Sequence, residues 1–346
     1  MKIGCYSDIH LSRNDINLSE ANSHNIFESI LWARQVFKDE GCELIINNGD
    51  FLDGDTIDAE TNYIIREVYK NNKQKELLLC GNHEIKDKDA KYNSLNILDN
   101  YPNLEVINKI RVIKLDNITL VLQPYTNNEK HINKLIDTLD KIEGKKVLFS
   151  HLTYRNVPNI YMSDAIKGEI DYRKVEDKVD LIFNGHIHNA LESQKYVQVG
   201  ILTGLSFSDD YDKYKPGIII FDTDKMSFKR IENPNAILYV KTNYNNLNLE
   251  NLQRTYLRID CPSNKIEEIQ HKLDKLNVFR YKLKLILENN QNAQEIIKQD
   301  FNLYSDPTLA LRDFIKTETG IYTTEQLNTF INEYYEKIKL QSKEVI

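Results

Sequence analysis

Several things this chain lacks narrow its class before any motif is read. No apolar stretch approaches the roughly 18–20 residues that a membrane-spanning helix needs. The opening MKIGCYSDIHLS is polar by residue 7 and has no apolar leader core, so a soluble, cytoplasmic protein with no membrane contact is expected. Thiol pairing is missing as well. Cys5, Cys42, Cys80 and Cys261 lie far apart with no C-x-x-C spacing, which argues against a zinc knuckle or a disulfide framework and leaves reduced, mostly buried thiols. Nor is there an excess of positive charge. At a net charge of -7 and a pI near 5.7, the chain cannot hold nucleic acid by bulk electrostatics, because that mode needs clustered Lys and Arg. A polyanion must be gripped locally, by metal ions, or with a partner. Internal repeats and long low-complexity tracts are also absent.

What is present is enough for a sizeable core. With 346 residues, 41% of them hydrophobic, one large domain and a smaller one are the starting expectation. A β-type run over Lys2 to Ser7 is followed by apolar residues at helical spacing, Ile26, Phe27, Ile30, Leu31, Ala33 and Phe37, stopped by Gly41. Further strands are expected at 43–47 and 76–80, with a helix at about 59–71 between them. This alternation predicts an α/β sheet whose ligands sit at the carboxyl ends of its strands. A helix near 92–99, a strand near 118–123, a helix at 132–142 and a strand at 146–149 come next. Strands at 196–202 and 217–232 close the region, the latter a hairpin turning at Asp222 to Lys225.

Each polar cluster follows one of these short apolar runs. The most suggestive is Asp180 to His188, DLIFNGHIH, in which two histidines stand one residue apart behind a glycine that allows a tight turn. Asp8 and His10, Asp50 and Asp53, Asn82, His83 and Glu84, and His151 occupy the other strand ends. Carboxylates, an amide and imidazoles without thiolates exceed the needs of one tetrahedral zinc and suit two adjacent divalent ions such as Mn²⁺ or Fe²⁺. His24, His131 and His271 fall on predicted helices and read as solvated surface histidines. Asp55, Asp58, Asp209, Asp210 and Asp212 read as hydrophilic loop residues.

The order D-x-H, G-D-x-x-D, G-N-H-E, a later strand-end His, and G-H-x-H resembles the calcineurin-like metallophosphoesterases. The resemblance implies a metallophosphoesterase β-sandwich flanked by helices. Asp8, His10, Asp50 and His188 would hold one metal, and Asp50, Asn82, His151 and His186 the other. His83 would then support the transition state or protonate the leaving oxygen, oriented by Asp53. Glu84 stands where the family often has Asp, and Phe-Leu-Asp follows Asp50 where hydrophobe-Phe-Asp is more usual. Neither departure touches an expected ligand.

The fold serves phosphatases, phosphodiesterases and nucleases alike, so substrate must be argued elsewhere. The stretch from Tyr196 to Asp209 and the run from Lys215 to Asp224 resemble the SbcD and meiotic-recombination-eleven nuclease subunits, especially their bacteriophage versions. In that layout residues 1–233 form the nuclease domain, and 234–288 a small α/β capping domain. After a polar linker, residues 293–346 form C-terminal helices, expected at 307–319 and 324–343. The capping segment carries Arg254, Arg258, Lys265, Lys272, Lys275, Arg280, Lys282 and Lys284, suited to DNA backbone. The last helix presents Leu327, Phe330, Ile331, Tyr334, Tyr335 and Ile338 on one face, suited to docking on an SbcC-like SMC-type ABC ATPase. The resemblance implies a Mn²⁺-dependent DNA exonuclease and endonuclease, a homodimer in a recombination and repair complex, using a hydroxide activated by two metals. A phosphodiesterase or phosphatase acting on a small molecule or phosphoprotein, and a DNA-tethering scaffold with vestigial chemistry, are the alternatives.

Overall fold

In the computed structural model, strands and helices alternate from the first residues onward; it describes residues 1–11, 19–87, 92–158, 168–207, 215–246, 254–275 and 280–285. The elements in order are β1 (Lys2–Tyr6), α1 (Ser19–Asp39), β2 (Leu44–Asn47), α2 (Ala59–Tyr69), β3 (Lys75–Leu79), β4 (Leu104–Ile107), β5 (Arg111–Lys114) and β6 (Thr119–Gln123). They continue with α3 (Glu129–Lys141), β7 (Lys146–Ser150), β8 (Tyr154–Arg155), β9 (Ile170–Asp171), β10 (Leu181–Asn184), β11 (Leu191–Glu192), β12 (Tyr196–Gln198), β13 (Gly217–Asp222) and β14 (Ser227–Glu232). Then follow β15 (Leu238–Asn243), β16 (Thr255–Cys261), α4 (Ile266–Lys275) and β17 (Arg280–Leu285).

Two six-stranded sheets carry the fold, in the orders β14-β13-β1-β2-β3-β4 and β11-β12-β10-β7-β6-β5. Their central strands run parallel, with antiparallel partners toward every edge except that of β4, which runs parallel to β3. The side-chain alternation of each strand explains the layering. Ile3, Cys5, Leu44, Ile46, Leu77, Leu79, Ile219 and Phe221 of the first sheet share one core with Leu120, Leu122, Val147, Phe149, Leu181, Phe183 and Val197 of the second. The intervening residues point the other way. Tyr6, Ile45, Leu78, Ile218 and Ile220 pack with α1 and α2, and Val121, Leu148, Ile182 and Tyr196 pack with α3. Both faces of each inner strand are covered, which is why these strands read as continuous apolar runs. The result is the helix-flanked sandwich expected of the motif order.

Local differences from the sequence-based expectation have local causes. Helix α3 begins at Glu129, earlier than expected, because the Asn128 side chain caps it by accepting from the Lys130 N–H. The expected helix at 92–99 is a 3-10 helix over Ser94–Asn100. Strands β4 and β5 were not expected at all; β5 is mostly exposed and offers little apolar alternation. The strand expected at 196–202 stops at Gln198, ahead of Gly200 at φ +76°. The hairpin turns where expected, with Asp222 Oδ1 accepting from the N–H groups of Asp224 and Lys225. Strands β15, β16 and β17 form a separate three-stranded sheet in that order, and β15 runs parallel to β16.

The chain divides into two compact units, Met1–Asp260 with Glu268–Lys284, and Cys261–Glu267 with Leu285–Ile346. Within the first, Tyr239 and Tyr256 join the core beside α1 and α2, and Phe207 packs against both rings at 5.1 and 4.9 Å. The expected C-terminal helices at 307–319 and 324–343 lie outside the described residues. No helix among the described residues is long and apolar enough to cross a membrane.

Behind the first sheet lies a buried charge cluster. Glu76 of β3, fully buried, accepts from Tyr6 Oη at 2.5 Å, Tyr69 Oη at 3.1 Å and Arg34 Nη1 at 2.5 Å. The Arg34 guanidinium also lies over the Tyr69 ring at 5.1 Å. The network ties α1, α2, β1 and β3 together. Removing one partner of a buried pair strands the other charge, so Arg34→Met should lower the unfolding free energy by about 3–5 kcal/mol in urea titration. A loss below about 1 kcal/mol would mean that the two tyrosines alone hold the Glu76 carboxylate.

Candidate metal centre

Three strands of the first sheet and two of the second deliver polar groups to one rim. Asp8 and His10 follow β1, Asp50 follows β2, Asn82 and His83 follow β3, His151 follows β7, and His186 and His188 follow β10. Possible ligand atoms converge in three overlapping groups, Asp8–His10–His188, His10–Asp50–His83 and Asp50–His151–His186, each with its atoms within 4.8 Å of one another. Asn82 joins the third group through Oδ1, 3.2 Å from His151 Nε2. The structure thus brings together every residue expected at the site, Asp53 included. His10 and Asp50 each belong to two groups, and Asp50 links the two that contain His83 and His151. His24, His131 and His271 belong to none among the described residues.

Hydrogen bonds fix which imidazole nitrogen faces the centre. His151 Nδ1 lies 2.6 Å from the Asn48 carbonyl, which can only accept, so Nδ1 carries the hydrogen and Nε2 points to Asp50 Oδ2 at 3.1 Å. His10 Nδ1 donates in the same way to Asp53 Oδ1 at 2.8 Å, leaving Nε2 toward His188 Nε2 at 3.2 Å and Asp50 Oδ2 at 3.8 Å. The role of Asp53 is therefore broader than expected. It stands 3.4 Å from His83 Nδ1 but closer to His10, so it orients an inner imidazole as well as the outer one.

The loops hold these groups by strained backbone and close contact. Asp8, His10, Asp50 and His186 all take positive φ, between +49° and +75°, four of the seven non-glycine residues that do so among the described residues. Such conformations persist only where the surroundings enforce them. Gly185, expected to permit a tight turn, has another reason to be glycine: a Cβ there would meet Ser7 Oγ at 2.2 Å and the Asn48 carbonyl at 2.5 Å. The turn itself is taken by His186. A Cβ on Gly81 would likewise strike Asp50 Oδ1 at 2.0 Å.

Two residues without an assigned role in the motifs clamp the loops. Glu84, fully buried, accepts from the Leu52 N–H at 2.9 Å and the Gly81 N–H at 2.6 Å, linking the loops after β2 and β3. Gln198 Nε2 faces the carbonyls of Asn184, Gly185 and Ile187 at 3.0, 2.6 and 3.0 Å and so grips the G-H-x-H turn. Nothing in the local pattern of Tyr196-Val197-Gln198 distinguishes that glutamine from an ordinary strand residue. Its only signal is a polar side chain in an otherwise apolar run.

The electrostatics fit a cationic occupant. Asp8 and Asp50 are both buried, and burial raises the Asp8 carboxyl above its ordinary range, with Asp50 adding repulsion. Burial works against the charge of Asp50 too, but His151 and its hydrogen bond hold that carboxyl far below the usual value. Burial opposes protonation of His151, yet Asp50 pushes it up to about 9. Burial and the charge of His151 push His186 down to about 3, leaving it a neutral imidazole with a lone pair to donate. Burial pushes Glu84 up to about 8, with Asp50 contributing. Two buried carboxylates whose nearest neighbours are imidazoles and backbone N–H groups, with an amide oxygen and no thiolate, form a donor set for divalent cations.

Residues 1–190, more than half the chain, match the calcineurin-like phosphoesterase family model, and the chain belongs to that family of metal-dependent phosphoesterases. The probable exonuclease subunit 1 of Escherichia phage T5 is 27% identical over 206 residues, which are 57% of this chain and 58% of that protein. The chain thus spans little more than half the length of that relative. Among solved structures, a dimetal phosphatase from Danio rerio aligns with a TM-score of 0.41 at 13% identity, covering 64% of this chain and 91% of that one. The Pseudomonas putida nuclease MPE aligns at 0.28 and 14% identity, covering 57% and 73%.

Two outcomes are expected. Asp53→Ala should weaken divalent-ion affinity by about 10–100-fold in calorimetric titration, since an outer partner of a ligating imidazole is lost. Unchanged affinity would restrict Asp53 to His83. An ion taking His151 Nε2 must displace its proton, so binding should release a proton below pH about 9, and affinity should climb as pH rises toward that value. Titration in buffers of different ionisation enthalpy reads this directly, and equal heats would contradict the protonated His151.

Proposed function

We propose that this chain is the nuclease subunit of an SbcCD-like recombination and repair complex, a DNA exonuclease and endonuclease that works with two divalent ions, Mn²⁺ by preference. The observation that carries the reading is the convergence of the full set of groups on one rim, with His83 standing at the exposed edge of the centre. The similarity to the phage T5 protein, a probable exonuclease subunit, supports a nucleic-acid backbone over other phosphoesters.

Asp8, His10, Asp50 and His188 hold one ion in this reading, and Asp50, Asn82, His151 and His186 hold the other. Bound there, the ions supply Lewis-acid activation of a phosphodiester and of water. The chain supplies the rest. Backbone N–H groups keep the carboxylates aimed: that of His186 donates to both Asp8 oxygens at 3.0 and 3.1 Å, and that of His83 to Asp50 Oδ1 at 3.1 Å. The Asp53 contact to His83 Nδ1 leaves Nε2 to give a proton to the leaving oxygen. The basic residues of the 234–288 segment contact the DNA backbone, and the 293–346 segment docks on an SMC-type ATPase, with two copies of the chain in the assembly.

Purified protein with Mn²⁺ should degrade linear duplex DNA and cut single strands. His83→Ala should reduce turnover by about 10²–10⁴-fold while leaving ion affinity unchanged. Intact DNA alongside hydrolysis of a cyclic nucleotide or a phosphopeptide would replace the nuclease with a phosphoesterase of another substrate class.

A further inference from the structure

A sixth strand end reaches the rim without bringing a ligand. Strand β6 stops at Gln123 and is followed by Pro124 and Tyr125, whose N–H donates to the Cys80 carbonyl at 2.8 Å, next to the G-N-H-E loop. The segment is stiffened by Gln123 Nε2 donating to the Pro124 carbonyl at 2.8 Å. The Tyr125 ring lies 5.7 Å from His186, tilted by 41°, and 6.4 Å from His151, centroid to centroid.

The ring differs from the tyrosines of the core. Tyr6, Tyr69, Tyr154 and Tyr196 are fully buried, and each phenol has a hydrogen-bond partner in Glu76, Ser150 or Gln198. Tyr125 is half-buried, and its phenol makes no hydrogen bond among the described residues. Tyr125 leaves part of its ring uncovered beside His186 and His151 at the mouth of the centre.

Its place in the rim is equally specific. His83 packs on His10 at 4.6 Å and His10 on His188 at 5.0 Å, whereas His151 packs on His186 at 5.0 Å and Tyr125 beside them at 5.7 Å. His83 and Tyr125 thus flank different groups of the centre. We propose that Tyr125 is a substrate-positioning residue, a stacking platform for the nucleobase on the non-leaving side of the scissile phosphate. The inference rests on the nuclease reading and names its substrate class: a strand whose base at the cleavage point is unstacked, as in single strands and frayed ends.

Stacking also answers the charge balance of the chain. A protein of net charge -7 gains little from general attraction to phosphate. A base laid on an aromatic ring adds affinity that tolerates sequence, because every base has a π-face.

The test uses the full chain with Mn²⁺ and single-stranded oligonucleotides carrying one abasic residue on either side of a mapped cleavage point. Tyr125→Ala should raise KM about tenfold, within the range for loss of one stacked base. Tyr125→Phe should match the wild type, and Tyr125→Leu should behave as Ala if Ala perturbs folding. An abasic residue on the non-leaving side should cost the wild type the same factor and cost Tyr125→Ala nothing further. Ion affinity by calorimetry should be the same in all four proteins. Losses that multiply between variant and abasic substrate would overturn the platform while leaving the nuclease reading intact. So would a Phe variant as impaired as Ala, or a parallel fall in ion affinity, which would make the ring a support for His186. Failure of the wild type to cleave any oligonucleotide would remove the nuclease reading and the platform together.

Discussion

One buried carboxylate sets the geometry of the rim. Asp50 sits in the left-handed backbone region with its oxygens 3.1 Å from His151 Nε2, 3.8 Å from His10 Nε2 and 3.1 Å from the His83 N–H. A carboxylate removed from water is costly unless cations or donors surround it, so each neighbouring loop is constrained to deliver one. The absence of a Cβ at Gly81 follows from the same demand, since the Asp50 oxygen occupies that space. The groups of the centre are positioned by mutual necessity more than by any single loop.

Around that carboxylate the protein uses few charges and many backbone contacts. Glu84 bridges two loops through amide N–H groups, Gln198 holds a third through carbonyls, and the Asn48 carbonyl fixes His151. Contacts of this kind do not weaken with salt as surface ion pairs do. They also keep the imidazoles in set tautomers, which a cation site needs before the cation arrives.

The residues that converge on the rim were legible because their motifs are local. D-x-H, G-N-H-E and G-H-x-H each lie within a few positions of one strand end, and apolar runs mark those strands. What could not be read depends on distant pairing. That Asp53 serves His10 requires the loops after β1 and β2 to meet, and that Gln198 grips the G-H-x-H turn requires β12 to pair with β10. Gly185 was read as a turn residue, whereas Ser7 and Asn48 of the opposite sheet impose the glycine. Strand β5, short and mostly exposed, left no periodic trace. The sandwich itself followed from the motif resemblance; the alternation of Ile3 against Tyr6, or of Val147 against Leu148, acquires meaning only once two sheets face each other.

The division of the centre between two sheets has a mechanical corollary. Asp8 and His10 come from the first sheet and His188 from the second; Asp50 comes from the first, and His151 and His186 from the second. An ion held by either of these two groups would be a rivet through the sandwich, joined to both layers at their carboxyl edge. With ions bound, sliding or splaying of the layers there would break ligand bonds in both groups at once, so occupancy of the centre would stiffen that edge.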